Sequence, residues 1–157
     1  PIYFLGGFIM GQVVKILKLK EDAKIPTRGS SQAAGYDLYA LLDTESISIM
    51  PHETVKIGTG IALELPELTF LGIFARSGIA TKEGLRPANC VGVVDSDYRG
   101  EIIVSIHNDS NEIRKITNYE RIAQAVVLPY ISVDFELADS LNTTKRGDNG
   151  FGSTGVK

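Results

Sequence analysis

Apolar and polar residues alternate with a period of two through much of this chain, the spacing of strands that bury one face and wet the other. Val13, Lys15, Leu17 and Leu19 share one parity and Val14 and Ile16 the other, which predicts a short first strand. Ile47 and Ile49 alternate with Ser46 and Ser48 until Pro51 ends the run. The cleanest stretch is 54–65: Val55, Ile57, Ile61, Leu63 and Leu65 take one parity, and Thr54, Lys56, Gly58, Gly60, Ala62 and Glu64 the other. It predicts one long strand bent at its glycines. Leu68, Phe70 and Phe74 continue the scheme as a further strand.

Ile102, Val104 and Ile106 then alternate with Glu101, Ile103, Ser105 and His107; Asn108 to Asn111 mark a turn, and Ile113 to Thr117 form another strand. Arg121 to Leu128 is apolar on both parities apart from Gln124, which predicts the centre of a sheet and a hydrogen-bond partner for the lone amide. Ile131, Val133, Phe135 and Leu137, set against Ser132, Asp134 and Glu136, predict the last strand. Only Arg76 to Gly84 reads as a helix, short, with Ser77 as N-cap and Gly84 as stop. Many short strands and almost no helix predict an all-β fold, a β-sandwich or distorted jelly roll. No strand–loop–helix order is present for a Rossmann or P-loop domain. The β core is expected over 12–137. From Ala138 the alternation gives way to Asn, Thr, Lys, Arg and Gly, so 138–157 reads as a glycine-rich arm, mobile until something orders it.

At 157 residues, 43% hydrophobic and 22% charged, the chain suits one folded domain with its own core. Its net charge is -3, from 16 basic and 19 acidic residues, with no basic run dense enough to track a nucleic-acid polymer. A small anion can still bind where a few arginines and backbone N–H groups converge, or where a metal supplies charge. Cys90 is the single cysteine, read as a buried or partly buried thiol in a reducing compartment. His52 and His107 stand apart, so zinc is not expected, and no Gly-x-Ser-x-Gly pattern supports serine catalysis. Pro1 to Met10 is apolar but too short to span a bilayer; Met10-Gly11 reads as a start, with 1–9 as upstream sequence. No membrane association is expected.

The chemistry concentrates in Gly92 to Gly100, where Asp95, Asp97, Tyr98 and Arg99 lie between Val93-Val94 and Ile102-Ile103-Val104. Extended backbone would point Asp95 and Asp97 the same way. A plain surface turn with an Arg–Asp pair accounts for the window equally well. Other polar segments complement it: Asp37, Arg76 with Ser77, Gln124, and the arm with Arg146, Phe151, Ser153 and Thr154. Arginines, hydroxyls and flexible glycines suit phosphate oxygens, and Phe151 between glycines suits either stacking over a flat ring or docking onto its own or a neighbour's surface.

Five segments together resemble the trimeric dUTPases: Ala34-Gly35-Tyr36-Asp37-Leu38, Ala75 to Ala80, Asn89 to Gly100, Glu120-Arg121-Ile122-Ala123-Gln124, and Arg146 to Gly155. Their order matches the family's, over about residues 12 to 157. The resemblance implies a homotrimer that hydrolyses dUTP to dUMP and pyrophosphate, with Asp95 activating the water that attacks the α-phosphorus. It implies that Asn89, Val94 and Tyr98 belong to the uracil and deoxyribose pocket, and that Arg76, Ser77, Gly78 and Gln124 contact phosphates. Asp37 would act on Mg²⁺ indirectly through water, the ion being held chiefly by the triphosphate. The arm would close with Phe151 on uracil and Arg146, Gly152, Ser153 and Thr154 near the phosphates. Each site would draw on three subunits. A cytoplasmic setting follows, with nucleus or organelle open in a eukaryote. Two departures stand out: Ala75 where many relatives carry proline, and Asp148-Asn149 in place of a more glycine-rich pair. The alternatives are a dCTP deaminase-like enzyme and a non-catalytic nucleotide-binding trimer.

Overall fold

The structure, a computed structural model, describes residues 13–150. Its strands are β1 (Lys15–Lys18), β2 (Tyr36–Tyr39), β3 (Ser46–Ile49), β4 (Thr54–Gly58), β5 (Ile61–Glu64), β6 (Thr69–Phe74), β7 (Leu85–Pro87), β8 (Gly92–Asp95), β9 (Ile103–Asn108), β10 (Arg114–Thr117) and β11 (Arg121–Pro129). The helix α1 spans Ser77–Glu83. A four-stranded sheet in the order β2-β11-β6-β8 packs with a three-stranded sheet β4-β9-β7 and the pairs β1-β5 and β10-β3. Leu38, Ile49, Ile57, Ile106, Ile116 and Ile122, each at most 1% exposed, form one core shared by all of them. All the strand pairs are antiparallel, as a chain of short strands with wet outer faces should be.

Periodicity located the strands better than it located their breaks. The long run 54–65 is two strands in different sheets, because Gly60 adopts φ 68° and turns the chain out of β4 into β5. Glu101 and Ile102 secure the break: Gly60 N–H donates to Glu101 Oε1 at 2.7 Å, and Thr59 Oγ1 to the Ile102 carbonyl at 2.6 Å. In β6 the inward residues are Leu71 and Ile73; Phe70 and Phe74 are half-buried, and Leu68, at φ 58°, lies 56% exposed in the turn before the strand. Arg76, with extended backbone, is the N-cap position of α1, so Ser77 is its first helical residue, while Gly84 ends it in the left-handed conformation at φ 69°.

The expected last strand does not form. Residues 131–137 have no ladder partner, and Phe135 and Leu137 are 98% and 100% exposed. A strand is stable only with a neighbour to take its backbone hydrogen bonds, and none of the described residues offers one. Asn108, read from sequence as a turn residue, is wholly buried: its Nδ2 donates to the carbonyls of Ile49, Met50 and Glu112 at 2.8–3.1 Å. Those bonds tie the end of β9 to β3 and to the following turn.

Candidate active site

The central strand β11 assembles the first half of the site. Its Gln124 lies opposite Asp37 of β2 on one side and Phe74 of β6 on the other, which brings Asp37, Gln124 and the Ala75-Arg76 segment to one level. The Gln124 amide has the partner its position demanded, donating through Nε2 to the Ala75 carbonyl at 2.9 Å. Its oxygen lies over Gly35, where an added Cβ would sit 2.5 Å from Oε1, so no larger residue fits at 35 without moving the amide.

Asp37 is bound by two arginines. Arg76 Nε donates to Oδ1 at 2.7 Å and Arg121 Nη1 to Oδ2 at 3.2 Å, while Arg76 Nη1 also reaches the Arg121 carbonyl at 3.2 Å. The carboxylate side chain is only 13% exposed, and one negative charge between two guanidinium groups leaves one positive charge in excess. These contacts fix the plane of the Arg76 guanidinium and leave its Nη2 without a partner among the described residues. Ser77 and Gly78 follow, both exposed. Such a cluster is suited to phosphate oxygens, which accept from a pre-set planar fork. Arg121 was not singled out from sequence as a site residue; the available signal was a cation opening the most apolar strand of the chain.

Asp37, expected beside a metal–water network, thus has both oxygens engaged by arginines. No group of three or more His, Cys, Asp or Glu side chains able to hold a metal occurs among the described residues.

The second half of the site follows β8. Asp95 ends that strand opposite Phe70 of β6, exposed, with Val94 opposite Leu71. The chain then turns, Tyr98 N–H donating to the Asp95 carbonyl at 3.2 Å, so the backbone is not extended through Asp97 and the two aspartates are not successive residues of one strand face. Arg99 forms no pair with either; it caps the turn by donating to the carbonyls of Ser96 and Tyr98 at 2.6 and 3.1 Å. Tyr98 is steadied by its hydroxyl, which donates to the Glu101 carbonyl at 3.2 Å. Val93, Val94, Ile102 and Ile103 line a groove of about 210 Å³ together with Tyr98 and two acidic residues, Asp95 and Glu101.

Residues 89–98 form no hairpin, because β7 pairs with β9 whereas β8 pairs with β6. The segment crosses between sheets through Asn89 and Cys90, the latter at φ 63°. Cys90 is exposed, contrary to the expected burial, since it occupies this crossing turn.

The two halves lie at opposite ends of β6. Asp95 sits at the Phe70 level, and Arg76 follows Phe74; the strand alone separates these levels by about 13 Å at its ordinary rise. Arg146 is in an exposed turn of the arm, and Phe151, Gly152, Ser153 and Thr154 lie outside the described residues.

An antiparallel jelly-roll-like chain with an arginine–carboxylate cluster at one sheet end and a small groove with two acidic residues at the other defines an all-β protein that handles a small phosphorylated ligand. Residues 21–155 match the family model for dUTPase. The chain is 50% identical over 146 residues to the deoxyuridine 5'-triphosphate nucleotidohydrolase of Desulfitobacterium hafniense (strain DSM 10664 / DCB-2), covering 91% of this chain and 96% of that one. Among solved structures, the dUTPase of Staphylococcus bacteriophage 80alpha with dUPNHPP superposes with a TM-score of 0.81 at 26% identity, covering 92% of this chain and 99% of that chain. A dUTPase from phage phi11 of S. aureus, described with a structural Mg(II) ion, shares the fold at a TM-score of 0.73 and 22% identity, over 84% of this chain and all of its own. The chain belongs to the dUTPase family. No helix among the described residues is long and apolar enough to cross a membrane.

Proposed function

We propose that this protein is a dUTP diphosphatase that hydrolyses dUTP to dUMP and pyrophosphate, removing the precursor of uracil in DNA and supplying dUMP. Family membership carries the reaction; the exposed carboxylate of Asp95 at the mouth of the Val–Tyr groove carries its assignment to residues. With the deoxyuridine in that groove, Asp95 holds a water in line with the bond between the α-phosphorus and its bridging oxygen to the β-phosphate. The water oxygen bonds to phosphorus, the bridging bond breaks with its electron pair leaving on pyrophosphate, and the carboxylate accepts the water's proton or orients it. Tyr98 floors the groove where a ribose 2'-hydroxyl would crowd, and the backbone from Asn89 to Val94 reads the uracil edge. Arg76, Ser77, Gly78 and Gln124 take phosphate oxygens, and Asp37 contributes by fixing the Arg76 guanidinium.

Mg²⁺ enters this reading with the nucleotide. Triphosphate oxygens and water would be its donors, with Asp37, whose oxygens accept from two arginines, acting on the ion only through water; bound there, the ion would neutralise phosphate charge. Phe151, Gly152, Ser153 and Thr154 would follow Arg146 over the bound nucleotide as the arm closes and water is expelled.

The separation of Asp95 from Arg76 along β6 supports a site shared between copies, with the phosphate cluster of one subunit facing the Asp95 groove of another and the arm supplied by a third. The unpaired run Ile131, Val133, Phe135 and Leu137 supports the same assembly. It is a strand in pattern without a partner, and an apolar groove of about 370 Å³ lined by Val14, Ile16, Ile25, Tyr36, Leu63 and Val127 is open on the same fold. Laid into that groove of a second copy, the segment gains both a ladder and a dry face. A homotrimer acting on the cytoplasmic nucleotide pool is the resulting picture.

Pyrophosphate release from dUTP, dCTP and UTP tests it. Turnover is expected with dUTP alone, and Asp95→Asn should lower kcat by at least about 100-fold, the scale of losing a positioned base, while dUpNHpp still binds. Ammonia release from dCTP, or undiminished turnover by the variant, would overturn the assignment.

A further inference from the structure

The described part of the arm carries one closed turn, and it is built around the residue the phosphate reading needs. The Arg146 carbonyl accepts from both the backbone N–H of Asn149, at 3.2 Å, and its side-chain Nδ2, at 3.0 Å. Arg146 Nε in return donates to the Asn149 carbonyl at 2.9 Å. Gly147 sits between them at φ 56°, with its N–H on Thr144 Oγ1 at 3.1 Å. Residues 146 and 149 therefore clasp each other in both directions, and the side-chain bond from Asn149 is one that a glycine at this position cannot make.

The clasp decides how Arg146 presents its charge. With Nε held inward, the guanidinium is pinned at its stem, and its two terminal nitrogens have no other partner among the described residues. They form the planar fork that pairs bidentately with phosphate oxygens. An exposed arginine on a glycine-rich arm would otherwise lose much rotamer freedom on binding, and restricting it beforehand reduces that cost.

We infer that Asn149 is a positioning residue that presets Arg146 for the triphosphate: its side-chain Nδ2 closes the turn on the Arg146 carbonyl and so keeps the backbone carbonyl of 149 under Arg146 Nε, in place of the flexibility that glycine would give the arm here. This rests on the reading of Arg146 as a phosphate contact. Asn149→Ala and Asn149→Gly are each expected to raise KM for dUTP about fivefold, the factor of one neutral hydrogen bond, with kcat changed less than about twofold. Weakened binding should appear for dUpNHpp and not for dUMP, which lacks the outer phosphates. In an Arg146→Ala background, Asn149→Ala should add nothing, because the group it positions is gone.

An unchanged KM in the single variants, or an effect of Asn149→Ala that persists undiminished beside Arg146→Ala, overturns the inference and leaves the proposed reaction standing. If Arg146→Ala itself leaves kcat/KM for dUTP unaltered, the phosphate reading of Arg146 fails, and this inference with it.

Discussion

At position 100 a methyl group fits only if the Tyr98 side chain moves. A Cβ on Gly100 would sit 2.5 Å from Tyr98 Cζ, so the phenol end of the ring lies over this glycine and is held there by its hydroxyl on the Glu101 carbonyl. On the proposed reading the Tyr98 ring lies under the sugar, and a methyl at position 100 would displace it. Gly100→Ala should push the ring into the groove or out of it, lowering kcat/KM for dUTP by about tenfold and narrowing its preference over UTP. Steady-state rates with both nucleotides check this. At the same scale, Asp95, Arg76 and Gln124 were legible as isolated polar residues among apolar strands. The contacts of Asp37 were not, because sequence separation hides that Arg76 and Arg121, 39 and 84 residues away, converge on its two oxygens.

Among the elements, β7 and β9 show how an edge is fastened from outside the ladder. Leu85 pairs with Asn108 in register, and just beyond, Arg86 grips Asp109 through Nε and Nη2, at 2.5 and 3.0 Å. The hydrogen bond from Arg86, before any other influence, holds the Asp109 carboxyl below its ordinary value of 3.8. A depressed folded value means that this contact stabilises the fold above pH 3.8 and is lost as pH falls through the lower folded value. Because the pair is exposed, the effect should be small and weakened by salt. Asp109→Asn is expected to flatten the acid limb of the stability curve while leaving the slope near neutrality alone, as measured by urea melts between about pH 3 and pH 7. The strands themselves followed from alternation. The break at Gly60 did not, since a glycine in a period-two run reads equally as a bend within one strand or a passage between sheets. The deciding partners, Glu101 and Ile102, lie some 40 residues on.

For the whole molecule, the two ends of β6 and the bare segment 131–137 point in one direction. On the proposed reading, the Asp95 groove and the Arg76 cluster, held at opposite ends of one strand, meet only between copies, so activity is expected to depend on association. Phe135→Ser combined with Leu137→Ser removes the exposed apolar side chains that the proposed assembly would bury. The double variant should run as smaller species in sedimentation, with dUTP turnover falling as protein is diluted, whereas the parent keeps its specific activity. A variant that remained fully assembled would show that this segment does not hold the copies together.

The sequence by itself determined the all-β class, the parity of most strands, the central position of β11 and the family, because each is written in local alternation or in short ordered segments. It also located the strand-like run at 131–137, but alternation states only that a segment can pair, never with what. Tertiary structure decided that no described part of the same chain pairs with it, that Asp37 is an anchor for arginines, and that Asp95 and Arg76 stand apart. Those outcomes depend on which strands become neighbours, a matter of long-range pairing and packing that no local pattern encodes.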